Sequence, residues 1–317
     1  MSDRPSIRVI GAEDIRASLP MRDAIDAVRR ALALVDANAQ PPRSSPPLVG
    51  GQFLLMPSEL GSFAGCKVLT VADPQNVHAP HRIQGLMLLF DSSSLSPTAV
   101  LDGAALTSLR TPAVSAAMAD LVTPDDASSL AVFGTGPQAR RHVEALAAIR
   151  PLSRIHVIGR TPDRGARAAA TWRGEGIEAV AAAPGIAAEC DIVLCATTAT
   201  EPLLTSGDVA SRATVIAIGS HEPHRRELPG GLLERSQVIV EGRAVATAEA
   251  GDVIMAIAEG HLHEDQLITI RAIASGATSV NFDSPRVVKT CGMAWQDLVI
   301  AAAVSTRLDT HAPEADR

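Results

Sequence analysis

The sequence contains no tyrosine, and its 317 residues include only five Phe and two Trp. A core of this size has to be filled by Ala, Val, Leu and Ile, a set that suits buried parallel strands covered by helices. Cysteine is scarce as well. Cys66, Cys190, Cys195 and Cys291 form neither a C-x-x-C pair nor a zinc spacing, which excludes a disulfide scaffold and a zinc module. Small buried thiols in a reducing compartment are the expectation. Basic charge is not in excess: 28 Lys and Arg face 35 Asp and Glu, a net charge of −7. That argues against a nucleic-acid-binding face, while leaving room for a local basic pocket. No apolar run reaches the ~18 residues of a membrane span. The opening stretch MSDRPSIRVIGAEDIRASL is mixed and charged, unlike a secretory signal. A cytoplasmic protein, with no membrane and no nucleic acid among its partners, is expected.

What is present is ordinary for a globular chain: 46% hydrophobic and 20% charged residues. The length suits about two domains of roughly 150 residues. An apolar run at Ile7–Ile10 is followed by helical patterning from Met21 to Val35 and by a Pro- and Ser-rich loop from Ala39 to Pro47. Four short β-like runs come next, at Phe53–Met56, Cys66–Val71, Gly85–Phe90 and Ala99–Asp102. Turn chemistry separates them and no long helix intervenes, which predicts an antiparallel sheet. An Ala-rich helical stretch spans Gly103–Leu121, and Pro112 within it predicts the start of a new helix.

The period then changes. Strands are predicted at Ser128–Phe133, Arg154–Ile158, Ala179–Ala182, Asp191–Ala196, Thr214–Ile218 and Val238–Val240, with helices at Pro137–Ile149 and Pro162–Trp172. Strands alternating with helices give a doubly wound parallel sheet, an α/β fold. Residues Val287–Ala303 read as helical, returning to the first domain, and the polar tail from Thr310 is expected to fray.

Between the first parallel strand and its helix lies Gly134-Thr135-Gly136-Pro137-Gln138-Ala139. A lone G-x-G-x-x-G/A is weak evidence, but here a strand precedes it, a helix follows, and the next strand starts about twenty residues on. Gly134 allows the tight turn, Gly136 lets backbone approach a pyrophosphate, and Ala139 is small enough for close helix–strand packing. Amides at the helix start then hold the pyrophosphate. A glycine turn in some other α/β protein is the competing explanation. At the end of the second strand, where NAD enzymes place a carboxylate for the ribose 2′-hydroxyl, this chain has Gly159-Arg160-Thr161. Arg160 and Thr161 suit a 2′-phosphate, so NADP(H) is the expected preference, with NAD(H) possible.

Four stretches occur in order: Gly65-Cys66-Lys67-Val68-Leu69-Thr70, the run from Ala105 through Leu109-Arg110-Thr111-Pro112 to Ala116, the Gly134 loop, and Cys291-Gly292-Met293-Ala294-Trp295-Gln296-Asp297-Leu298. Together they resemble the ornithine cyclodeaminase/mu-crystallin family across nearly the whole chain. The resemblance implies a substrate-binding and dimerisation domain built from residues 1–118 and 291–317, with a Rossmann domain, 119–290, inserted in it. A homodimer through the antiparallel sheet is implied too. By the same resemblance Lys67 lies at the reacting carbon, Arg110 clamps the substrate carboxylate, Arg43 is a second carboxylate contact, and Asp297 lies towards the nicotinamide. Thr111, beside the clamp, is placed at phosphate or substrate. Taken alone, Lys67 would read as an edge-strand lysine that blocks aggregation, and Arg110 as a helix-end ion pair.

One departure bears on the reaction. Cyclodeaminases of the family carry Gly-Ala-Asp-x-Pro-Gly-Lys-x-Glu-Leu after a late Rossmann strand, and its Asp is an acid/base. Here the run is Gly219-Ser220-His221-Glu222-Pro223-His224-Arg225-Arg226-Glu227-Leu228, with His221 in that position. Imine reduction needs only hydride, a carboxylate clamp and a proton donor, so the change favours an NAD(P)H-dependent reductase of small cyclic imino acids such as pyrroline-2-carboxylate and piperideine-2-carboxylate. Three alternatives stay open. One is ornithine cyclodeaminase with His221 as acid/base. Another is an opine-forming or amino-acid (alanine) dehydrogenase. The third is a non-catalytic protein that holds cofactor or a small ligand. The His78/His81, His221/His224 and His261/His263 pairs lack the partners of a metal site, and no metal is expected. Arg140, Arg141 and His142 are expected to face solvent.

Overall fold

The computed structural model describes residues 7–73 and 75–311, so most of the tail expected to fray lies outside the described residues. The chain divides into two compact units. Among the described residues, one takes those up to Ala31, those of Val35–Thr111 and those from Met293, and the other takes Leu32–Leu34 and Pro112–Gly292. The divisions fall at 111/112 and 292/293, beside the 118/119 and 290/291 read from sequence.

In the first unit, strands β1 (Arg8–Ile10), β2 (Pro47–Leu48), β3 (Gly51–Leu60), β4 (Phe63–Ala72), β5 (Ile83–Asp91) and β6 (Pro97–Asp102) form one sheet in the order β1-β6-β5-β4-β3-β2. β2 to β6 pair antiparallel, as turn-separated runs require, and β1 adds in parallel to β6. β4 is therefore interior, hydrogen-bonded on both sides. Its odd-numbered residues Gly65 and Lys67 are buried, whereas Cys66 and Val68 on the opposite face are half-exposed. The helix Ala294–His311 lies against β3, β4 and β5, covering one face and bringing the C-terminal segment into this unit.

In the second unit, β7 (Ser129–Phe133), β8 (Arg154–Ile158), β9 (Ala179–Ala181), β10 (Ile192–Cys195), β11 (Thr214–Ala217), β12 (Gln237–Val240), β13 (Ile268–Thr269) and β14 (Arg286–Lys289) form a parallel sheet in the order β13-β12-β14-β11-β10-β7-β8-β9. Every residue of β7, β10, β11 and β14 is buried, the pattern of strands covered on both faces. From β7 the chain winds outward through β8 and β9 on one side and β10 and β11 on the other. The strand order thus reverses between β7 and β10, and ligands of such sheets bind at the carboxyl ends of the strands flanking that point.

Three sequence readings need correction. The helix expected over Val287–Ala303 begins only at Ala294, and Arg286–Lys289 is a strand between β11 and β12. Two valines between charged residues carry no usable period, and Arg286 and Lys289 are themselves buried. Pro112 starts no new helix, because it lies inside an unbroken helix, Gly103–Asp120. It removes one backbone donor, at a typical cost of about 3 kcal/mol in a helix interior, which burial of Leu109, Ala113, Val114, Ala116 and Ala117 offsets. His142 does not face solvent. Arg140 and Arg141 pair with Glu144 and Glu175, but the His142 ring is buried, bonded to the Gln138 carbonyl (2.7 Å) and Ser115 Oγ (2.9 Å). Short helices such as Gly251–Ala258, and strand β13, had no distinct sequence signal. No helix among the described residues is long and apolar enough to cross a membrane.

Candidate active site

In the first unit, four of the singled-out residues converge. Lys67 is fully buried at the middle of β4, paired across the sheet with Met56 on one side and Met87 on the other. It is not the edge lysine that sequence alone would suggest. Its Nζ donates to Asp297 Oδ1 at 2.7 Å, and Arg110 Nε donates to the same oxygen at 3.0 Å. Asp297 sits in the first turn of its helix, where a carboxylate suits the positive end of the dipole. It is fully buried, and its Oδ2 makes no hydrogen bond among the described residues.

Burial lowers the Lys67 pKa to about 8. Asp297 opposes that shift, while the positive charges of Arg110 and Arg43 add to it. Arg110 is 9% exposed and uses Nε for Asp297, which turns the Nη edge of the guanidinium to other use. Arg43 is half-buried on the loop before β2, and Thr111 is half-buried next to the clamp. Lys67, Arg110 and Arg43 outnumber the one Asp297 carboxylate, and such an excess of positive charge suits an anion.

In the second unit, the Gly134 turn lies at the carboxyl end of β7. Gly134 has φ +128°, and a Cβ there would fall 2.4 Å from the Ala196 carbonyl oxygen. Gly136 differs: φ is −86° and a Cβ would meet nothing within 4 Å. The open side of Gly136 and the start of helix Pro137–Ala147 form a cradle. Pro137 stands at the first helical position, and the Gln138 and Ala139 amides belong to the unpaired first turn. Thr135 is half-buried and Ala139 fully buried. These features fit a pyrophosphate.

The cradle separates binding from folding. Gly136→Val is expected to weaken NADH binding by more than about tenfold, while the melting temperature stays within about 2 °C. Gly134→Ala should lose both. Equal NADH affinity in Gly136→Val, by fluorescence titration, would rule the cradle out.

At the end of β8, Gly159 is packed tightly, with a Cβ position 2.4 Å from the Gly165 amide nitrogen. Arg160 and Thr161 are exposed, and Thr161 Oγ1 caps the next helix through the Arg164 amide at 3.4 Å. His221 is exposed on the loop after β11. Among the described residues no cluster of His, Cys, Asp and Glu could hold a metal ion. The sequence reading passed over a second buried charged cluster in this unit, Glu227, Asp252 and Lys289. Its one signal was a lysine directly after the paired valines of β14.

The profile of the Ornithine cyclodeaminase/mu-crystallin family matches residues 8–311. Ketimine reductase mu-crystallin of Mus musculus is 31% identical over 238 residues, 75% of this chain and 74% of that protein. A Delta(1)-pyrroline-2-carboxylate reductase of Bacillus cereus is 31% identical over 310 residues, 92% of this chain and 94% of the other. Among solved structures, Thermococcus litoralis Delta(1)-pyrroline-2-carboxylate reductase in complex with NADH and L-proline superposes with a TM-score of 0.87 at 24% identity, over 96% of this chain and 98% of that one.

Proposed function

The chain belongs to the ornithine cyclodeaminase/mu-crystallin family, and from that premise we propose that it reduces small cyclic α-imino acids with a nicotinamide dinucleotide. The observation that carries this reading is the buried Lys67–Asp297–Arg110 cluster. The Arg110 Nη edge, with Arg43, holds the substrate carboxylate through charge-assisted hydrogen bonds. The bound dinucleotide supplies hydride to the imine carbon. Lys67, as its ammonium, donates a proton to the imine nitrogen, so that hydride and proton together complete the secondary amine. Asp297 keeps that ammonium in place, and the methionines beside Lys67 exclude water. A relative in each of two kingdoms of life carries a reductase name, ketimine and pyrroline-2-carboxylate.

The cyclodeaminase reading is weaker. Ornithine brings a second ammonium, which would add to the positive charges of Arg110 and Arg43 already acting on Lys67. His221, at the family's Asp position, is exposed on its loop. The alanine-dehydrogenase and non-catalytic readings have no specific observation in their favour, and an intact buried proton donor argues against the second.

For cofactor choice we favour NADPH, because Arg160 stands exposed at the end of β8, where a 2′-phosphate would lie, and no carboxylate precedes it on that turn. None of the four cysteines forms a disulfide, which suits a reducing, cytoplasmic setting. A homodimer is proposed through the outer face of the first unit's sheet, where Pro57, Cys66, Leu88, Val100 and Val9 form one apolar row across five strands. Such a face is a liability in a monomer, and a monomeric mass in solution would overturn this point.

The test is to follow absorbance of the reduced cofactor with pyrroline-2-carboxylate. Substrate-dependent oxidation is expected, with KM for NADPH about tenfold below that for NADH. Equal KM values would sink the 2′-phosphate reading alone. No oxidation, with ammonia released from ornithine in the presence of NAD, would replace the reductase with the cyclodeaminase.

A further inference from the structure

The second unit buries two carboxylates and an ammonium that the proposed reaction does not use. Glu227, Asp252 and Lys289 are 0%, 1% and 2% exposed. Lys289, at the end of β14, places Nζ 3.3 Å from Asp252 Oδ2 and donates to the Ala217 carbonyl at the end of β11. Asp252 Oδ1 accepts from the Glu227 and Leu228 amides at 2.7 and 2.9 Å. The Asp252 amide donates to Ser220 Oγ at 3.1 Å. Together these bonds close the base of the loop Gly219–Leu228.

The Glu227 side chain reaches across to a different loop. Its Oε1 accepts from both the amide and the Oγ1 of Thr197, each at 2.7 Å, and its Oε2 accepts from the Gly219 amide at 2.7 Å. All three partners are donors, so the carboxylate is the form they suit. Burial raises the Glu227 pKa, while Lys289 and the Thr197 hydroxyl act against that rise. Thr197 follows Ala196, whose amide donates to the Phe133 carbonyl and whose own carbonyl is what crowds Gly134. The loop held by Glu227 therefore meets the Gly134 turn directly, through the residue before Thr197. That loop leaves β10 on the far side of the strand-order reversal from β7, so its placement sets the width of the crevice opposite the cradle. An anion taken wholly out of water costs several kcal/mol before its bonds offset it. Apolar packing would hold two loops together more cheaply, whereas directional bonds to named amides fix where they stand.

We propose that Glu227, held by Asp252 and Lys289, is a positioning residue for the dinucleotide, setting the loops after β10 and β11 against the Gly134–Gly136 turn. The proposal rests on the dinucleotide reading of that turn but not on the imine substrate. It is therefore tested by binding, with NADH itself as the probe in fluorescence titration.

Glu227→Gln keeps the size and sets an amide donor against a donor. Its Kd for NADH is expected to rise about tenfold. Thr197→Val, which removes only the Oγ1 bond, should raise Kd about threefold. The double variant should bind no worse than Glu227→Gln, since the two changes break one shared contact. A purely structural role would instead lower the melting temperature and leave Kd within about twofold in both single variants, and that result overturns the proposal. If Glu227→Gln does not fold, unchanged affinity in Thr197→Val overturns it by itself. Absence of binding of both NADH and NADPH to the unaltered protein removes the dinucleotide reading and this proposal together, and is seen before any substitution is made.

Discussion

Arg110→Ala is expected to lower kcat/KM for a cyclic imino acid by about a thousandfold while leaving NADH affinity unchanged. The estimate follows from the bonds lost. Charge-assisted hydrogen bonds contribute roughly 1.5–3 kcal/mol each, and a guanidinium edge offers two of them to a carboxylate. Two such bonds amount to about 3–6 kcal/mol, or roughly 10²–10⁴ in kcat/KM. The geometry makes the fork available because Arg110 binds Asp297 through Nε at 3.0 Å. Arg110→Lys keeps the charge, but a single ammonium cannot serve Asp297 and a carboxylate edge together. It should recover no more than about tenfold of the loss. A kcat/KM for Arg110→Ala within tenfold of the unaltered enzyme would show that the carboxylate is held elsewhere.

The second large effect concerns the proton. Lys67→Met fits the space between Met56 and Met87 and removes the proposed donor, so kcat should fall about 10²–10⁴-fold, the usual contribution of a positioned acid. The pH profile carries the sign. The active form is the ammonium, and the Lys67 pKa lies at about 8 rather than at the ordinary 10.5. Activity is expected to be level below pH 8 and to fall about tenfold per pH unit above it as the ammonium deprotonates. The residual activity of Lys67→Met should lack that descending limb. Lys67→Arg separates charge from proton transfer. Its guanidinium stays charged throughout and cannot give up its proton, so it should be about as impaired as Lys67→Met. An active Lys67→Arg enzyme, or a limb that persists in Lys67→Met, would assign the proton to another group.

Much of the second unit was legible from the sequence. β8 was read with its observed ends, and β7, β9, β10, β11 and β12 within a residue or two, because buried parallel strands are short unbroken apolar runs between turn residues. The Gly134 turn was legible for the same reason: one residue needs positive φ and another an open side, and both needs are met within three positions. β14 escaped because its charged ends hide its period, and its partner strands β11 and β12 lie far upstream in the chain and meet it only in the sheet. His142 escaped because a helix start predicts where charges are tolerated, not which ring Ser115 will meet.

The candidate site divides along the same line. Composition and periodicity by themselves determined an aliphatic α/β chain, a set of antiparallel strands before a doubly wound sheet, and a dinucleotide turn between the first parallel strand and its helix. These properties are written in neighbouring residues, where steric and hydrophobic preferences act locally. That Lys67 is interior rather than on an edge was decided by β3 and β5 pairing on both sides of β4. That one carboxylate holds both Lys67 and Arg110 was decided by contacts spanning 230 and 187 residues. The buried set of Glu227, Asp252 and Lys289 likewise joins a loop, a helix and a strand. Charges acquire lowered or raised pKa values only once folding has removed water and set them beside one another, and that step belongs to the tertiary structure.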